Sequence, residues 1–424
     1  MAADETSCYV YIHLPKAKEA VPCASLKVRT VGTGAYEGTF TYGSKYLERP
    51  DVVSLDPFHL PLTSRPQQFT RLKGLPGAVR DASPDAWGRR VIQAKLQRPE
   101  ADIEEMDYLL NGPDDGAGNL SFGRTVKPPA PRRPFNRTHQ LQDLVAAAQK
   151  LEEDGRLPQE VLEGLEAGTS LGGARPKVTV EDGHKIWLAK LPEKSDRHNL
   201  QRIEYATLEL ARAAGLRVCS TRLERVGERD ALLLNRFDRE WSPDANAYWR
   251  FGLVSGLTVL DAEDGYLGRE RWSYLLLADE LRRWSIKQSE DRRELFRRMA
   301  FNAMVTNNDD HPRNHAMLHT PSGWRLSPAY DIVPTAMVSQ ERRDLALEAG
   351  TYGRAASLYN LLSQCDAFGL STEDARAIVE SMLDVVRGWR EFFAAHGVAA
   401  GTIEMLEQAM LPRSFYRDAP PQTV

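Results

Sequence analysis

A single polar stretch decides the fold prediction for this chain: Asn307-Asn308-Asp309-Asp310-His311-Pro312-Arg313-Asn314. It directly follows a helical stripe of apolar side chains, which consists of Leu295, Phe296, Met299, Ala300, Ala303 and Met304. Polar groups beside a buried helix are unfavourable unless they have partners, and Pro312 prevents the helix from continuing. The stretch therefore predicts a functional loop, with a solvated surface loop as the alternative.

The spacing within this loop matches the needs of phosphoryl transfer. Asp309 and Asn314 follow the D-x-x-x-x-N pattern, in which the aspartate accepts the proton of a substrate hydroxyl and the asparagine holds Mg²⁺. Asp331 has the position of a second metal-binding aspartate, after a short predicted hairpin. Carboxylate and amide oxygens, completed by phosphates and water, suit Mg²⁺. A lone histidine more often orients a neighbour than binds a metal, so we assign His311 a supporting catalytic role.

A glycine-rich segment, Thr169–Lys177, lies upstream and precedes a predicted strand. It lacks the Walker A pattern. Its small residues nevertheless let backbone N–H groups approach a phosphate closely. Glycine pairs are more often simple turns, so this segment by itself is weak evidence for a phosphate site.

A β-hairpin is predicted next, with its turn at Asp182-Gly183. This turn pairs Val180 with Lys185 and Thr179 with Ile186. The alternation of side chains then places Lys190 at the end of a strand, where it can reach a phosphate under the glycine-rich segment. The alternative is a lysine that extends into water.

A helix predicted over Leu200–Ala214, ending at Gly215, carries Glu204 beside its apolar stripe. Protein kinases hold their phosphate-binding lysine with a glutamate from the following helix. We therefore predict an ion pair between Lys190 and Glu204, with a surface glutamate as the equally weighted alternative.

Composition limits the function classes. The chain has 424 residues, 42% apolar and 27% charged, with a net charge of −4, which is typical of a globular protein and argues against bulk nucleic-acid binding. The four cysteines are scattered singly, so structural zinc is not expected. We find neither a signal peptide nor a membrane-spanning run, and we expect a cytoplasmic protein without membrane partners.

The predicted domain organisation has four parts. Residues 1–126 form a β-rich N-terminal subdomain, and the proline-rich segment 127–135 is a linker. Residues 136–240 form a core like the N-terminal lobe of a kinase. Residues 241–424 form a mostly helical C-terminal lobe with the catalytic loop.

Several motifs in order resemble the HipA family of serine/threonine kinases, which are toxins of bacterial type II toxin–antitoxin pairs. The motifs are Ser170-Leu171-Gly172-Gly173-Ala174-Arg175-Pro176-Lys177, Lys190-Leu191-Pro192, Arg236-Phe237-Asp238-Arg239, Asp309 to Asn314, and Pro328-Ala329-Tyr330-Asp331. The resemblance covers most of the chain. It implies a two-lobed α+β fold like that of protein kinases and phosphatidylinositol kinases, with a β-rich N-terminal subdomain and a helical C-terminal lobe.

The resemblance also implies site residues. ATP would lie at the hinge formed by Asn235, Arg236 and Phe237. The residues expected to contact ATP and Mg²⁺ also include Ser170, Leu171, Gly172, Gly173, Lys190, Glu204 and Asp331, with Asn314 and Asp331 as the metal ligands. Autophosphorylation is implied at Ser170, which would place about two negative charges in the phosphate-binding loop and silence the enzyme.

The family further implies partners. The protein substrate would be an aminoacyl-tRNA synthetase or another translation factor. A HipB-like antitoxin would bind DNA, so that this chain meets DNA only indirectly.

Three departures from the family pattern stand out. Arg175-Pro176 replaces a common Gln-Glu pair, Asp310 replaces a common glycine, and Ile332-Val333 stand where ordinary protein kinases have Phe-Gly.

Two rival functions stay open. One is a small-molecule or lipid kinase, and the other is a non-catalytic nucleotide-binding corepressor that pairs with an antitoxin.

Overall fold

The structure is a computed structural model that describes residues 5–15, 17, 19–32, 34–129, 135–165, 173–336 and 343–417. Its strands are β1 (Glu5–Ile12), β2 (Val21–Gly32), β3 (Ala35–Tyr42), β4 (Gln67–Phe69), β5 (Leu120–Gly123), β6 (Asn136–Arg137), β7 (Lys177–Asp182), β8 (Lys185–Lys190), β9 (Thr221–Val226), β10 (Arg229–Asn235), β11 (Arg239–Ser242), β12 (Ala247–Arg250), β13 (Gly252–Ser255), β14 (Ala316–Thr320) and β15 (Gly323–Leu326).

Helices occur in both halves of the chain. They are α1 (Ser44–Leu47), α2 (Gly77–Ala82), α3 (Ala86–Leu96), α4 (Glu105–Asn111), α5 (Leu141–Asp154), α6 (Gln159–Leu165), α7 (Leu200–Ala213), α8 (Gly256–Val259), α9 (Tyr274–Trp284), α10 (Gln288–Val305), α11 (Leu358–Leu362), α12 (Thr372–Val386), α13 (Trp389–Ala395) and α14 (Ala400–Met405).

Two compact units divide the described chain. The first unit contains the described residues within 1–194, 235–254 and 318–321, and the second contains those within 195–234, 255–317 and 322–424. The predicted boundaries at residues 126, 135 and 240 stay a prediction. Most of the predicted linker, residues 130–134, lies outside the described residues.

The first unit begins with an antiparallel sheet in the order β4-β3-β2-β1-β5. Its strands are rich in aromatic and β-branched residues, and Val10, Leu26 and Phe40 are fully buried. Strands β1 to β4 thus lie between Glu5 and Phe69.

The hairpin β7–β8 forms, but its predicted turn and register are wrong. Asp182 pairs with Lys185, and Thr179 pairs with Leu188. The turn residues are therefore Gly183 and His184, which both have positive φ, at 54° and 60°. A two-residue hairpin turn of this kind needs two left-handed residues, and Asp182 instead joins the ladder. The register moves by two residues, so Lys190 stays on the predicted face.

The second unit is mostly helical, as predicted. Helix α7 ends as expected before Gly215, which has a φ of 90°. Helix α10 packs against α9 and α12, and its C-terminal half is buried on all sides. No helix among the described residues combines the length and apolarity needed to cross a membrane.

Candidate active site

The polar loop follows helix α10, whose last residues are fully buried. Met304 and Val305 are 0% exposed, and the helix ends at Thr306, which takes a left-handed φ of 53°. The next residue, Asn307, is also buried, but its amide donates to Oδ1 of Asn302 at 3.1 Å. The Asn302 amide in turn donates to the Tyr274 hydroxyl at 3.0 Å. The buried amide at the start of the loop is thus hydrogen-bonded to Asn302, which is itself bonded to Tyr274 on α9.

The loop folds so that its two predicted reactive residues meet. The His311 N–H donates to the Asp309 carbonyl, and the Asn314 N–H donates to the His311 carbonyl, both at 2.8 Å. The Asn314 side-chain amide donates to the Asp309 carbonyl at 3.3 Å. Because Nδ2 makes this bond, Oδ1 of Asn314 is the atom that remains for a cation.

His311 supports the loop from the side. Its Nδ1 accepts from the Arg313 N–H at 3.1 Å, and its ring meets Trp272 edge-on with centroids 4.2 Å apart. The Arg313 guanidinium forms a two-pronged pair with Asp264, at 2.7 and 2.5 Å. The supporting catalytic role of His311 stays a prediction.

Asp331 is held beside this loop by its neighbours in the chain. The Tyr330 hydroxyl donates to the Arg313 carbonyl at 2.6 Å. The Ala329 N–H donates to the Arg217 carbonyl at 2.7 Å, and the buried Arg298 side chain contacts the Ser327 carbonyl. Asp331 itself has a φ of 57°, a conformation that is uncommon for residues other than glycine and often marks functional sites.

The electrostatics of this acidic site, which we define as Asp309, Asn314 and Asp331, favour a cation. Partial burial raises the pKa of Asp309, and the negative charge of Asp331 raises it further. Two carboxylates that interact in this way repel each other, and a bound cation relieves the repulsion.

The glycine-rich segment is only partly described. Ser170, Leu171 and Gly172 lie outside the described residues, whereas Gly173 is described and has a φ of 98°. The Lys177 ammonium donates to the Gly173 carbonyl at 3.0 Å and to the Asp85 carboxylate at 2.7 Å. Lys177 and Asp85 are both buried, so this motif lysine anchors the end of the segment.

Lys190 and Glu204 belong to different units. Lys190 is half-buried at the end of β8, and Glu204 is 5% exposed on α7. Their predicted ion pair stays a prediction.

The predicted hinge residues fall at the end of β10. The Arg236 N–H and the Asn235 side-chain amide donate to the Ile186 carbonyl, at 2.9 and 3.3 Å. Phe237 is half-buried. The side chain of Arg236 instead enters a buried cluster, and its backbone carbonyl accepts from the Arg239 N–H at 3.3 Å.

This cluster, which we call the arginine network, consists of Arg236, Arg239, Arg250, Asp115 and Asp238. Asp238 accepts from Arg236 and Arg239 at 2.8 Å each, and Asp115 accepts from the same two arginines at 2.8 and 3.1 Å. Carbonyl oxygens of Gly116 and Gly118 satisfy further donors. The Arg236 and Arg239 charges hold the pKa of Asp238 well below its usual range despite its burial.

Sequence reasoning missed several residues that build these regions. Asp115 lies 121 residues from its partner Arg236, and Asp264 lies 49 residues from Arg313, so no local pattern connects them. Tyr330 was visible within the Pro-x-Tyr-Asp motif, and its position next to Asp331 was the available signal.

Comparison with known proteins agrees with these motifs. The model of the HipA-like C-terminal domain matches residues 169–389. The serine/threonine-protein kinase toxin HipA of Shewanella oneidensis is 24% identical over 275 residues, which cover 56% of this chain and 62% of that relative. The match therefore spans less than two thirds of the relative's own length.

A chain from the Shewanella oneidensis complex of HipA, HipB and operator DNA has a TM-score of 0.66 at 16% identity and covers 94% of both chains. The Helicobacter pylori proinflammatory kinase CtkA has a TM-score of 0.42 at 13% identity, covering 56% of this chain and 87% of CtkA. The first match confirms the predicted fold class. Since the family match covers more than half of the sequence, this chain belongs to the HipA family.

Proposed function

We propose that this protein is a serine/threonine protein kinase that transfers the γ-phosphate of ATP to a protein hydroxyl and acts as a growth-inhibiting toxin. The observation that carries this proposal is the acidic site. Asp309 and Asn314 meet within one loop, and Asp331 is near enough to raise the pKa of Asp309. The named relative, a serine/threonine-protein kinase toxin, supports the same activity.

Each residue has a role in this proposal. Asp309 orients the substrate hydroxyl and accepts its proton. Asn314 and Asp331 would hold Mg²⁺, which neutralises phosphate charge when bound, and their amide and carboxylate oxygens fit this cation. Among the described residues no group of three His, Cys, Asp or Glu side chains could hold a metal, so the remaining ligands would be phosphate and water oxygens. Most of the acceleration would come from positioning and charge neutralisation.

The nucleotide would be held by the glycine-rich segment, by the end of strand β8 and by the residues at the end of strand β10. We propose that Lys190 and the backbone of Leu171 to Gly173 position its phosphates, and that Glu204 pairs with Lys190. The backbone at Asn235 to Phe237 would hold the base. His311 would keep the loop in shape through its bond to the Arg313 N–H.

The decisive assay is transfer from radiolabelled ATP into a cell lysate. Asp309→Ala should lower the transfer rate by about 10²-fold or more, because the hydroxyl loses its base. Asp384→Ala is the matched control, since Asp384 is a 75% exposed carboxylate on α12. Expression of the wild type should arrest growth, and Asp309→Ala should not. Unchanged transfer by Asp309→Ala would refute the assignment.

The same assay separates the rival functions. Label in protein bands supports the proposed kinase. Label in lipids or small molecules would indicate the small-molecule or lipid kinase, and ATP binding without any transfer would indicate the corepressor.

We also propose that the enzyme phosphorylates itself at Ser170 and thereby silences itself. Negative charge on this segment would repel the phosphates of ATP. Phosphopeptide mapping after incubation with Mg²⁺ and ATP tests this step, with Ser170→Ala as the comparison. Modification only at other sites would contradict it.

The proposed partner is a HipB-like DNA-binding antitoxin. The similar fold in the complex of HipA, HipB and operator DNA supports it. A translation protein such as an aminoacyl-tRNA synthetase is the proposed substrate. Identification of the labelled lysate band by mass spectrometry tests the substrate, and co-purification followed by a DNA-mobility assay tests the partner.

A further inference from the structure

A buried carboxylate–imidazole pair adjoins the acidic site in the chain. Asp310 and His315 are each 2% exposed. The two Asp310 oxygens lie 3.2 and 3.3 Å from Nε2 of His315. These residues immediately follow Asp309 and Asn314 in the chain, so their side chains join the two ends of the catalytic loop.

The surroundings of His315 hold it in one place. Its ring meets Tyr274 edge-on, with centroids 5.4 Å apart and planes at 72°. Its carbonyl accepts from the Gly256 N–H at 2.7 Å. Its Nδ1 is buried and has no hydrogen-bond partner within the described part of the chain. Since Nε2 faces a carboxylate, Nε2 is the nitrogen that donates, and Nδ1 is left as an acceptor.

A buried carboxylate–imidazole pair is poor evidence for stability by itself. Burying its polar groups costs contacts with water that the hydrogen bond between them only partly returns. The position of the pair, one residue after each functional side chain, gives it a clear geometric effect. While the pair is closed, the backbone ends at Asp309 and Asn314 cannot separate.

We propose that the Asp310–His315 pair is a positioning clamp that fixes the separation of Asp309 and Asn314 and so sets both metal affinity and turnover. This inference rests on the proposed function. Loss of a contact that supports a metal ligand typically weakens metal binding by about 10- to 100-fold. A displacement of about 1 Å at a reactive residue can change turnover by about 10²-fold.

The test must separate positioning from folding. Asp310→Ala leaves His315 without its partner, and His315→Ala leaves a buried carboxylate, so either single variant can fail by losing stability. The double variant Asp310→Ala/His315→Phe removes both polar groups and fills the ring site, which should restore stability. Asp310→Asn keeps an acceptor for Nε2–H and is the conservative rescue.

Two quantities should be measured on the full chain: kcat for labelled-phosphate transfer, and Mn²⁺ affinity by electron paramagnetic resonance with a non-hydrolysable ATP analogue. We expect the folded double variant to bind Mn²⁺ about 10- to 100-fold more weakly and to have a kcat about 10²-fold lower. Asp310→Asn should retain most of both.

The outcomes distinguish the clamp from the kinase proposal. If the wild type transfers phosphate and the folded double variant matches it in kcat and Mn²⁺ affinity, the pair is merely structural and the clamp is refuted. If the wild type transfers nothing but its Mn²⁺ affinity depends on the pair, the kinase proposal fails and the clamp stands. If the wild type neither transfers phosphate nor binds Mn²⁺, both fail.

Discussion

The arginine network and the acidic site both contain buried or partly buried carboxylates, but the pKa of these groups shifts in opposite directions. In the first unit, Asp238 is fully buried between Arg236 and Arg239, and the pKa of its carboxyl is held well below the usual range. In the second unit, partial burial raises the pKa of the Asp309 carboxyl, and the nearby carboxylate of Asp331 raises it further. Opposite charges in the first region balance each other inside the protein. Like charges in the second region repel each other, and a bound cation can relieve this repulsion.

This difference distinguishes two motifs that look alike in the sequence. Both Arg236-Phe237-Asp238-Arg239 and the loop from Asp309 to Asn314 are short and highly polar. In the first motif, the charged side chains are paired with other groups of the protein, so this motif stabilises the fold. Stability should therefore respond in opposite directions when an aspartate of each region is neutralised.

The largest effect is expected in the arginine network. Asp238→Ala leaves two fully buried guanidinium groups short of a carboxylate, which should lower the free energy of unfolding by about 3–5 kcal/mol. Chemical denaturation of the full chain measures this change. Asp244→Ala, at an exposed position in the β11–β12 turn, should change it by less than about 0.5 kcal/mol. A loss no larger than that of the control would show that Asp115 alone satisfies the arginines.

A smaller effect is expected where α8 touches the catalytic loop. A Cβ added at Gly256 would lie 2.5 Å from the Pro312 carbonyl oxygen, which is backbone and cannot turn aside. Gly256→Ala should therefore destabilise the protein by about 1–3 kcal/mol and lower phosphate transfer. Thermal unfolding and the transfer assay measure the two effects. Gly401→Ala is the matched control, because a Cβ there meets open space.

The bond between Tyr330 and the catalytic loop predicts a still smaller change. Tyr330→Phe removes the hydroxyl that donates to the Arg313 carbonyl at 2.6 Å. The free energy of unfolding should fall by about 0.5–1.5 kcal/mol. Transfer should fall as well, since Asp331 loses its attachment to the loop. Tyr352→Phe, whose ring is 45% exposed, should alter neither quantity. Normal transfer by Tyr330→Phe would show that other contacts suffice to place Asp331.

The smallest effect has the opposite sign. The raised pKa of Asp309 means that the native state binds a proton more tightly than the unfolded state, so this group contributes less stability as pH rises through the folded pKa. Asp309→Asn removes that penalty. At neutral pH, without metal or nucleotide, Asp309→Asn should have a slightly higher Tm than the wild type, and the difference should vanish below pH ~4, the ordinary range of a carboxyl group.

Calorimetry across this pH range measures the difference, with Asp384→Asn as the exposed control. An equal or lower Tm at neutral pH would show that neither burial nor Asp331 disfavours the ionised form of Asp309, and the comparison between the two regions would fail.

Local patterns sufficed where neighbouring residues determine the structure. The apolar stripe before Asn307 predicted the buried helix α10, and Gly215 predicted the end of α7. The β7–β8 hairpin shows where such patterns fail. The Asp-Gly signal predicted the turn to within one residue. In the structure, Asp182 pairs within the β-ladder, and Gly183 and His184 form the turn. Neighbouring strand contacts, which a turn signal does not contain, select the register.

The sequence by itself determined the family, the α+β class and the order of the motifs, because spacing and periodicity are properties of the chain. Only the tertiary structure decided which charged residues neutralise one another. Asp115 joins Arg236 across 121 residues, whereas Asp310 and His315 close the loop that holds Asp309 and Asn314. Electrostatic energy depends on distance and burial in space, and the linear sequence contains neither.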